Sequence, residues 1–171
     1  MYEGKTGIER LQLEFREIKK EKGLNQIGGS AGVINKDYKH WRACFIGPQG
    51  TPYENGLYYV EFKLKDDYPN SKPLARFRTK IWHPNVNVNS GQICLDYIKG
   101  NWKPDNTMRE AILSVFYLLT APNFSSPLNG DAQKDYDKVA REYRGKYAYQ
   151  SQEYNWNDNY DNWNESCFPN L

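Results

Sequence analysis

The sequence predicts an α+β domain, and three features of the chain support that fold class. Apolar residues recur at helical spacing near the N-terminus, residues 24–80 alternate with a period close to two, and helical spacing returns after residue 107. With 171 residues, of which 39% are hydrophobic, the chain can bury one sizeable core. We therefore expect one domain in which helices pack against a small sheet.

A first amphipathic helix is predicted over residues 8–22, with Gly23 as its stop. Apolar side chains recur there at every third or fourth position, and lysines cluster near the C-terminal end. Its outer face is expected to carry Lys5, Arg10 and Arg16 beside several glutamates. That pattern is typical of a solvent-exposed helix face.

Three strands are predicted before residue 82, where aromatic and β-branched residues are common. Their sequences are KHWRACFI, LYYVEFKLK and PLARFRTKI. The connections between them are short and rich in turn-forming residues, which favours an antiparallel meander over crossover helices.

The third predicted strand indicates which face of the sheet is buried. Phe77 and Ile81 lie on one side of it, and Arg76, Arg78 and Lys80 lie on the other. The sheet is therefore expected to have one buried face and one solvent-exposed face.

Two helices are predicted after the strands. Thr107 and Glu110 have the spacing of a capping box, and the apolar run that follows predicts a buried central helix ending before Pro122. A further helix is predicted to begin near Asp131. Its apolar and aromatic face consists of Tyr136, Val139, Ala140, Tyr143 and Tyr147.

The charge of the chain is small in total and uneven along its length. A net charge of +2 argues against a protein built to bind nucleic acid. Residues 150–171 contain four acidic residues and no Lys or Arg, which leaves +6 for the body of the chain. We therefore divide the chain into a domain, residues 1–149, and an acidic, Asn- and Trp-rich tail, residues 150–171. The tail is either disordered or docked through its aromatic residues on the domain or a partner.

The cysteines and the N-terminal residues indicate the compartment. Cys44, Cys94 and Cys167 are widely separated and form no CxxC pair, so neither a disulfide framework nor a zinc site is predicted. Cys44 falls in a strand pattern and is expected to be structural. The chain shows no secretory signal and no apolar run near the ~20 residues of a membrane-spanning helix. We expect a soluble protein of the cytoplasm or nucleus, without membrane contact.

Cys94 is the candidate nucleophile. It follows a loop rich in turn-forming residues that begins with His83, Pro84 and Asn85. A catalytic cysteine usually works with a histidine base, but His40 lies in a predicted strand and His83 is fixed by the proline after it. A thiol without an obvious base suits exchange with an acyl group that is already activated, such as a thioester.

Several motifs occur in a fixed order along the chain: GPQGTPYENG, DDYPNSKP, HPN, GQICLD, NWKP and APNFSSPLNGDA. In this order and spacing they resemble the ubiquitin-conjugating (E2) family from about residue 8 to residue 149. Two features most resemble the H-type subgroup of the family. One is the occurrence of GPQGTPYENG together with PLNGDA, and the other is HPNVNVNSGQIC, which has one residue more than the same segment of many family members. The resemblance implies the ubiquitin-conjugating (UBC) fold: an N-terminal helix, a four-stranded antiparallel meander, an active-site loop, a central buried helix and one or more C-terminal helices.

The resemblance also implies roles for the residues around Cys94. The cysteine would accept ubiquitin from an activating enzyme (E1) as a thioester, which a lysine amine then attacks. Asn85 matches the residue that stabilises the tetrahedral oxyanion, a role worth roughly 3 kcal/mol in comparable sites. It could equally brace the loop by bonding to backbone, and both roles could hold. Asp96 matches an acidic position that orients the incoming lysine.

Ser126 matches a second family position that orients the incoming lysine, called the gate position here, where many members of the family have Asp. A hydroxyl cannot supply the same charge, so either Asp96 carries more of the work or Ser126 becomes acidic through phosphorylation. A capped turn at Ser125 and Ser126 is the structural alternative.

Partner surfaces are implied by the resemblance, residue by residue. The matching residues are Arg10 for E1, Pro69, Asn70, Trp102 and Pro104 for a RING-type E3 ligase, Leu113 for the donor ubiquitin and Ser30 for a ubiquitin on the back of the sheet. Asn70 replaces the Phe of many members, which favours a narrow set of RING-type partners over HECT-type ones. Leu113 could equally belong to the core.

The function implied is that of an E2 that passes ubiquitin from Cys94 to lysine residues of protein substrates. It needs no bound metal or cofactor, because ATP is consumed by the E1. Two alternatives stay open. One is an E2 charged with a ubiquitin-like modifier, and the other is a non-catalytic adaptor of E2 type that only binds ubiquitin, against which the presence of Cys94 counts.

Overall fold

The computed structural model describes residues 2–20, 24–93 and 102–149. Within them the elements are α1 (Gly7–Lys20), β1 (Ser30–Ile34), β2 (Asp37–Ile46), β3 (Leu57–Lys63), β4 (Leu74–Phe77), β5 (Gln92–Ile93), α2 (Met108–Leu118) and α3 (Tyr136–Tyr147). The predicted α+β class and the predicted order of helices and strands are confirmed, but the last helix begins at Tyr136 rather than near Asp131, where a short 3-10 helix, Gly130–Gln133, lies instead. No described helix has the length and apolar character needed to cross a membrane.

The strands form one antiparallel sheet in the order β1-β2-β3-β4-β5. The implied four-stranded meander is present, and β5 adds a short fifth strand at the edge beside β4. The third strand predicted from sequence is longer than β4. Pairing becomes irregular after Phe77 because the Thr79 hydroxyl, rather than a backbone carbonyl, accepts the hydrogen bond of the Tyr59 N–H at 2.9 Å.

The core lies between the inner face of the sheet and helix α2. Trp41, Phe45 and Phe62 are fully buried there, and the Phe45 ring meets Phe116 of α2 edge to face at 5.5 Å. Burial of aromatic rings of this size supplies most of the hydrophobic stabilisation of a small domain. The opposite face of the sheet points away from α2. We call it the outer sheet face.

The prediction that the outer sheet face is solvent-exposed is wrong at Arg76, which is 3% exposed. Its Nε donates to Glu61 at 2.7 Å from the directly opposite position on β3. Glu61 also contacts His40 and receives a hydrogen bond from Arg78. Burial alone would raise the pKa of Glu61, but the hydrogen bonds from His40 and Arg76 outweigh it and lower that pKa to about 2. Period-two alternation identifies the face of a residue but not its cross-strand partner.

Helix α1 is joined to α2 by a buried carboxylate. Glu14, 1% exposed, accepts hydrogen bonds from the Met108 N–H at 2.7 Å and the Tyr68 hydroxyl at 2.9 Å. The predicted capping box of Thr107 and Glu110 is confirmed at the same helix end. Negative charge is favourable at a helix N-terminus, so Glu14 completes the cap that the local sequence begins.

Candidate active site

His83 is a structural residue of the loop that leads to Cys94. It is fully buried, its Nδ1 accepts the Asn85 N–H at 2.9 Å, and its Nε2 lies 3.0 Å from the Leu118 carbonyl, to which it donates. Burial lowers the pKa of His83 to about 4, in spite of the hydrogen bond to Leu118, which acts in the opposite direction. With both ring nitrogens engaged, His83 cannot serve as a base, and His40 is bound to Glu61 on the outer sheet face.

Asn85 links this loop to the segment that contains Ser126. Its side-chain Nδ2 donates to the Asn123 carbonyl at 2.7 Å, and its Oδ1 accepts the Asn123 N–H at 2.7 Å. Asn85 is itself fully buried. This geometry is the one expected if Asn85 braces the loop, which is one of the two roles considered for it. The second proton on Nδ2 is not used in the bond to Asn123.

The segment around Ser126 is anchored on both sides to the same loop. Asn123 fixes one end through Asn85, and the Pro84 carbonyl accepts the N–H groups of Leu128 at 2.7 Å and Asn129 at 2.9 Å at the other. Ser126 lies half-buried between these anchors. The expected gate position is therefore held at a fixed place beside the His83–Asn85 loop.

A tight turn follows Asn85 and returns the chain to the sheet. The Asn87 side chain accepts the N–H groups of Asn89 and Ser90, and Asn87 and Gly91 are joined by a backbone hydrogen bond of 2.8 Å. Gly91 has φ +75°, and a Cβ there would lie 2.0 Å from the Phe77 carbonyl oxygen, so only glycine fits. The turn delivers Ile93, which is buried, to the edge of β4.

Cys94 and Asp96 lie outside the described residues. Cys94 follows Ile93 directly in sequence, so the described hairpin ends at the residue before the candidate nucleophile.

An aromatic support beneath the loop was not apparent from the sequence. Tyr53, fully buried, donates from its hydroxyl to the Trp82 carbonyl at 2.7 Å. Its ring lies 5.7 Å from the His83 ring and 6.4 Å from Tyr136, which in turn meets Phe124 at 5.3 Å. These rings connect the β2–β3 loop, the His83 loop and the start of α3. The only sequence signal was the turn motif that contains Tyr53.

The residues expected to meet a RING-type ligase are brought together. Trp102 Nε1 donates to the Pro69 carbonyl at 2.7 Å, which joins the two loops. Asn70 and Pro104 are exposed and line one depression of about 380 Å³ together with Tyr2. The two loops thus form one continuous surface.

Arg10 differs from its expected place. It is 4% exposed, pairs with Glu14, donates to the Asn106 carbonyl at 3.1 Å and lies 4.3 Å from the centre of the Tyr2 ring. The expectation of a solvent-exposed Arg10 on the outer face of α1 is wrong, because the buried carboxylate of Glu14 draws the guanidinium inward. Its role in binding E1 stays a prediction that its burial does not favour.

The two residues expected to touch ubiquitin lie on different sides of the domain. Leu113 is half-buried on α2 and packs against the core. This position is compatible both with contact to the donor ubiquitin and with a place in the core. Ser30 is exposed on the outer sheet face, and its hydroxyl lies 3.2 Å from the Cys44 sulfur. Cys44 lies in β2, as expected for a structural cysteine, and is half-buried.

Comparison with known proteins gives a consistent result. A family model described as "Ubiquitin-conjugating enzyme" matches residues 10–151. The chain is 37% identical over 146 residues to "Ubiquitin-conjugating enzyme E2 1" of Schizosaccharomyces pombe, a match that covers 81% of the chain and 66% of the length of that relative.

Two solved structures are similar in fold and sequence. A ubiquitin conjugating enzyme E2 domain from Toxoplasma gondii superposes with a TM-score of 0.70 and 34% identity, covering 81% of this chain and 97% of that one. A Plasmodium yoelii protein assigned to the ubiquitin conjugating enzymes gives 0.76 and 33%, covering 87% and 99%.

Proposed function

The chain belongs to the ubiquitin-conjugating enzyme (E2) family, and we propose that it is an active E2 that carries ubiquitin as a thioester on Cys94. The observation that carries the proposal is the place of Cys94 in the chain. It directly follows Ile93, which pairs with β4 and is bridged to Val86 across the hairpin. A nucleophile attached to a fixed frame meets an acyl donor with little loss of entropy.

The first step is an exchange of thioesters. The Cys94 thiolate attacks the carbonyl carbon of the ubiquitin C-terminus while it is bound to the E1 cysteine. The new C–S bond forms as the bond to the E1 sulfur breaks, and the E1 thiolate leaves. The exchange is close to isoenergetic because one thioester replaces another, so proximity and some thiolate are sufficient. The E1 has already consumed ATP, and this chain supplies no cofactor.

The second step is attack by an amine. A neutral lysine amine adds to the thioester carbonyl, and collapse of the tetrahedral intermediate expels the Cys94 thiolate and leaves an isopeptide bond. The proton lost by the amine passes to water or to a basic group such as a carboxylate or a neutral imidazole. His83 is not that group, because it is buried with both nitrogens engaged. We assign the orientation of the lysine to Asp96, and to Ser126 the gate position that the family resemblance implies.

The side-chain amide of Asn85 has two roles in this scheme, as a brace and as a donor to the oxyanion. Its bonds to Asn123 keep the segment of Ser126 beside the His83 loop. The second Nδ2 proton is the group that the oxyanion role would use. The brace is supported by its geometry, and the oxyanion role is supported by the family resemblance.

The partners proposed are ubiquitin, an E1, a RING-type E3 and lysine-bearing protein substrates. The link from Trp102 to Pro69 supports a RING-type surface, since it makes one platform of the two loops that such ligases contact. The exposed Asn70 offers a polar group there instead of an apolar anchor. We place the protein in the cytoplasm or nucleus, where the E1 and ubiquitin would be available.

A charging and discharge experiment tests the proposal. The purified chain is incubated with E1, ATP and either ubiquitin or a ubiquitin-like modifier with its own E1, and the charged protein is then chased with free lysine. The proposal expects a charged species only with ubiquitin, followed by loss of that species as lysine is added. If the protein is charged with the ubiquitin-like modifier and not with ubiquitin, it is an E2 for that modifier. If it binds ubiquitin but is not charged, it is a non-catalytic adaptor.

A further inference from the structure

The outer sheet face collects side chains that point away from the core. Strand register sets Arg42 of β2 opposite Glu61 of β3, and Glu61 opposite Arg76 of β4. Their sequence neighbours Trp41 and Phe62 point to the core and are fully buried. Ser30 of β1 and Cys44 of β2 are opposite each other on the same face, and Cys44 lies two residues after Arg42.

The outer sheet face is strongly basic. Among the described side chains that strands β1–β5 direct to this side, Glu61 is the one carboxylate. The basic residues there are Arg42 and Lys63, together with Arg76 and Arg78, which both reach Glu61, and Lys19 of α1, which borders the face. On the strands themselves Arg42, Lys63 and Arg76 outnumber Glu61 by two charges, and Arg78 and Lys19 add positive charge at the border of the face. A depression of about 340 Å³ lined by Lys19, Arg42, Tyr59 and Cys44 opens on it.

One end of the outer sheet face is apolar. Ile46, 40% exposed, is paired across the strands with Leu57, and Tyr59 follows two positions later on the same face. A ligand for the whole face must therefore combine negative charge with aromatic or apolar groups.

The described chain ends beside that apolar end. The Ala148 carbonyl accepts the Leu57 N–H at 2.6 Å, and the Tyr147 ring lies 5.3 Å from the Lys80 ammonium. The 22 residues of 150–171 continue from this point in the sequence. When extended they can reach about 70 Å, far more than the length of any strand of this sheet.

We propose that the acidic tail, residues 150–171, binds the outer sheet face of its own chain. The tail carries −4 with no Lys or Arg, and the strand side chains of the face carry a net positive charge. Its aromatic residues suit the apolar end and the faces of arginine side chains: Tyr154, Trp156, Tyr160, Trp163 and Phe168. Tethering gives the tail an effective concentration of the order of mM, so contacts that are weak in isolation are sufficient.

The consequence is regulatory and goes beyond the transfer reaction. A bound tail covers Ser30 and Cys44, the part of the sheet where a non-covalent ubiquitin is expected. The tail then competes with that ubiquitin for the same part of the sheet.

The test compares backbone amide NMR spectra of full-length variants. The tail-neutral variant carries Glu153→Gln, Asp158→Asn, Asp161→Asn and Glu165→Gln. Its matched control has Asn155→Ser, Asn157→Ser, Asn159→Ser and Asn162→Ser, which leave the charge unchanged. We expect shifts at the amides of Gly32, Arg42, Cys44 and Tyr59 in the tail-neutral variant. Wild type in about 0.5 M salt should show the same shifts because the charges are screened, and the control should show much smaller ones.

The reciprocal variant carries Arg42→Glu and Lys63→Glu, with Lys103→Glu on an exposed loop as its control. It should move the amide signals of the tail towards random-coil values, and Lys103→Glu should not. Unchanged signals of the outer sheet face in the tail-neutral variant would overturn the proposal. So would shifts that grow with protein concentration, because a second copy would then occupy the face. None of these spectra requires charging by E1, so failure here is distinct from failure of the proposed transfer activity.

Discussion

The side-chain amide of Asn85 and the main chain of Asn123 are joined by two hydrogen bonds of 2.7 Å, one in each direction. This pair connects the loop that leads to Cys94 with the segment that contains Ser126. The Pro84 carbonyl secures the far end of the same segment through Leu128 and Asn129. The loop that leads to Cys94 and the segment of Ser126 are thus joined at two places, by the side-chain amide of Asn85 and by the main-chain carbonyl of Pro84.

Replacement of Asn85 by Ala should lower the free energy of unfolding by about 2 kcal/mol. The loss reflects two hydrogen bonds and the partly buried Asn123 N–H and carbonyl left without their partner. Urea denaturation measures it. Asn89→Ala, at an exposed position of the same loop, is the control and should stay within about 0.5 kcal/mol of wild type. Equal stability of the two variants would contradict the brace.

Glu14→Ala should be more damaging, with a loss of about 3–5 kcal/mol. It leaves Arg10 buried without its counter-ion and removes the acceptor of the Met108 N–H. Glu17→Ala on the same helix removes only a 3.6 Å contact with the exposed Lys20 and should cost about 0.5 kcal/mol or less. Thermal unfolding of the two variants compares them directly. A loss for Glu14→Ala as small as that for Glu17→Ala would rule out this link between α1 and α2.

The pH dependence of stability should carry a contribution from His83. The unfolded chain binds its proton with an ordinary pKa of 6.5, whereas the folded chain does so only at about 4. Between these values the unfolded state binds more protons, so stability falls as pH decreases from 6.5 to 4, by up to about 3 kcal/mol. Glu61 contributes in a lower window, because its pKa falls from 4.5 unfolded to about 2 folded and its stabilisation is lost as pH decreases through that range.

Urea titrations at several pH values test the His83 contribution. His83→Gln should be less stable than wild type at pH 7 but should lose less stability on acidification to pH 5. The same slope in both proteins would show that His83 does not titrate in this window.

Ser126→Asp should speed discharge of the charged protein to free lysine several-fold. The carboxylate supplies the charge that many members of the family have at the gate, where it orients the amine. Ser126→Asn has a similar shape without the charge and serves as the control. Single-turnover discharge assays give the rates. No gain for Ser126→Asp over Ser126→Asn would place the work on Asp96 and count against phosphorylation of Ser126 as an activating event.

The sequence predicted those parts of the fold that depend on local patterns. The capping box of Thr107 and Glu110 needs residues three apart, and strands β2, β3 and β4 follow from alternation along a few residues. Contacts between distant segments left no local signal. Glu14 reaches Met108 across 94 positions, and Asn85 reaches Asn123 across 38.

The burial of charged residues was the least predictable feature. Arg10 and Arg76 were expected to face solvent, since charged side chains usually do. Each is instead buried beside a carboxylate, Glu14 or Glu61. A periodic pattern records the type of each side chain but not the partner that a neighbouring element supplies. The short strand β5 was missed for a related reason, since two paired residues are too few to show alternation.

The central claim is that Cys94 forms a thioester with ubiquitin. Intact-protein mass spectrometry after incubation with E1, ATP and ubiquitin measures it, on wild type, Cys94→Ala and Cys44→Ala. We predict an adduct of one ubiquitin that disappears on addition of reductant in wild type and in Cys44→Ala, and no such adduct in Cys94→Ala. A reductant-sensitive adduct that survives in Cys94→Ala, or its absence in wild type, would contradict the account.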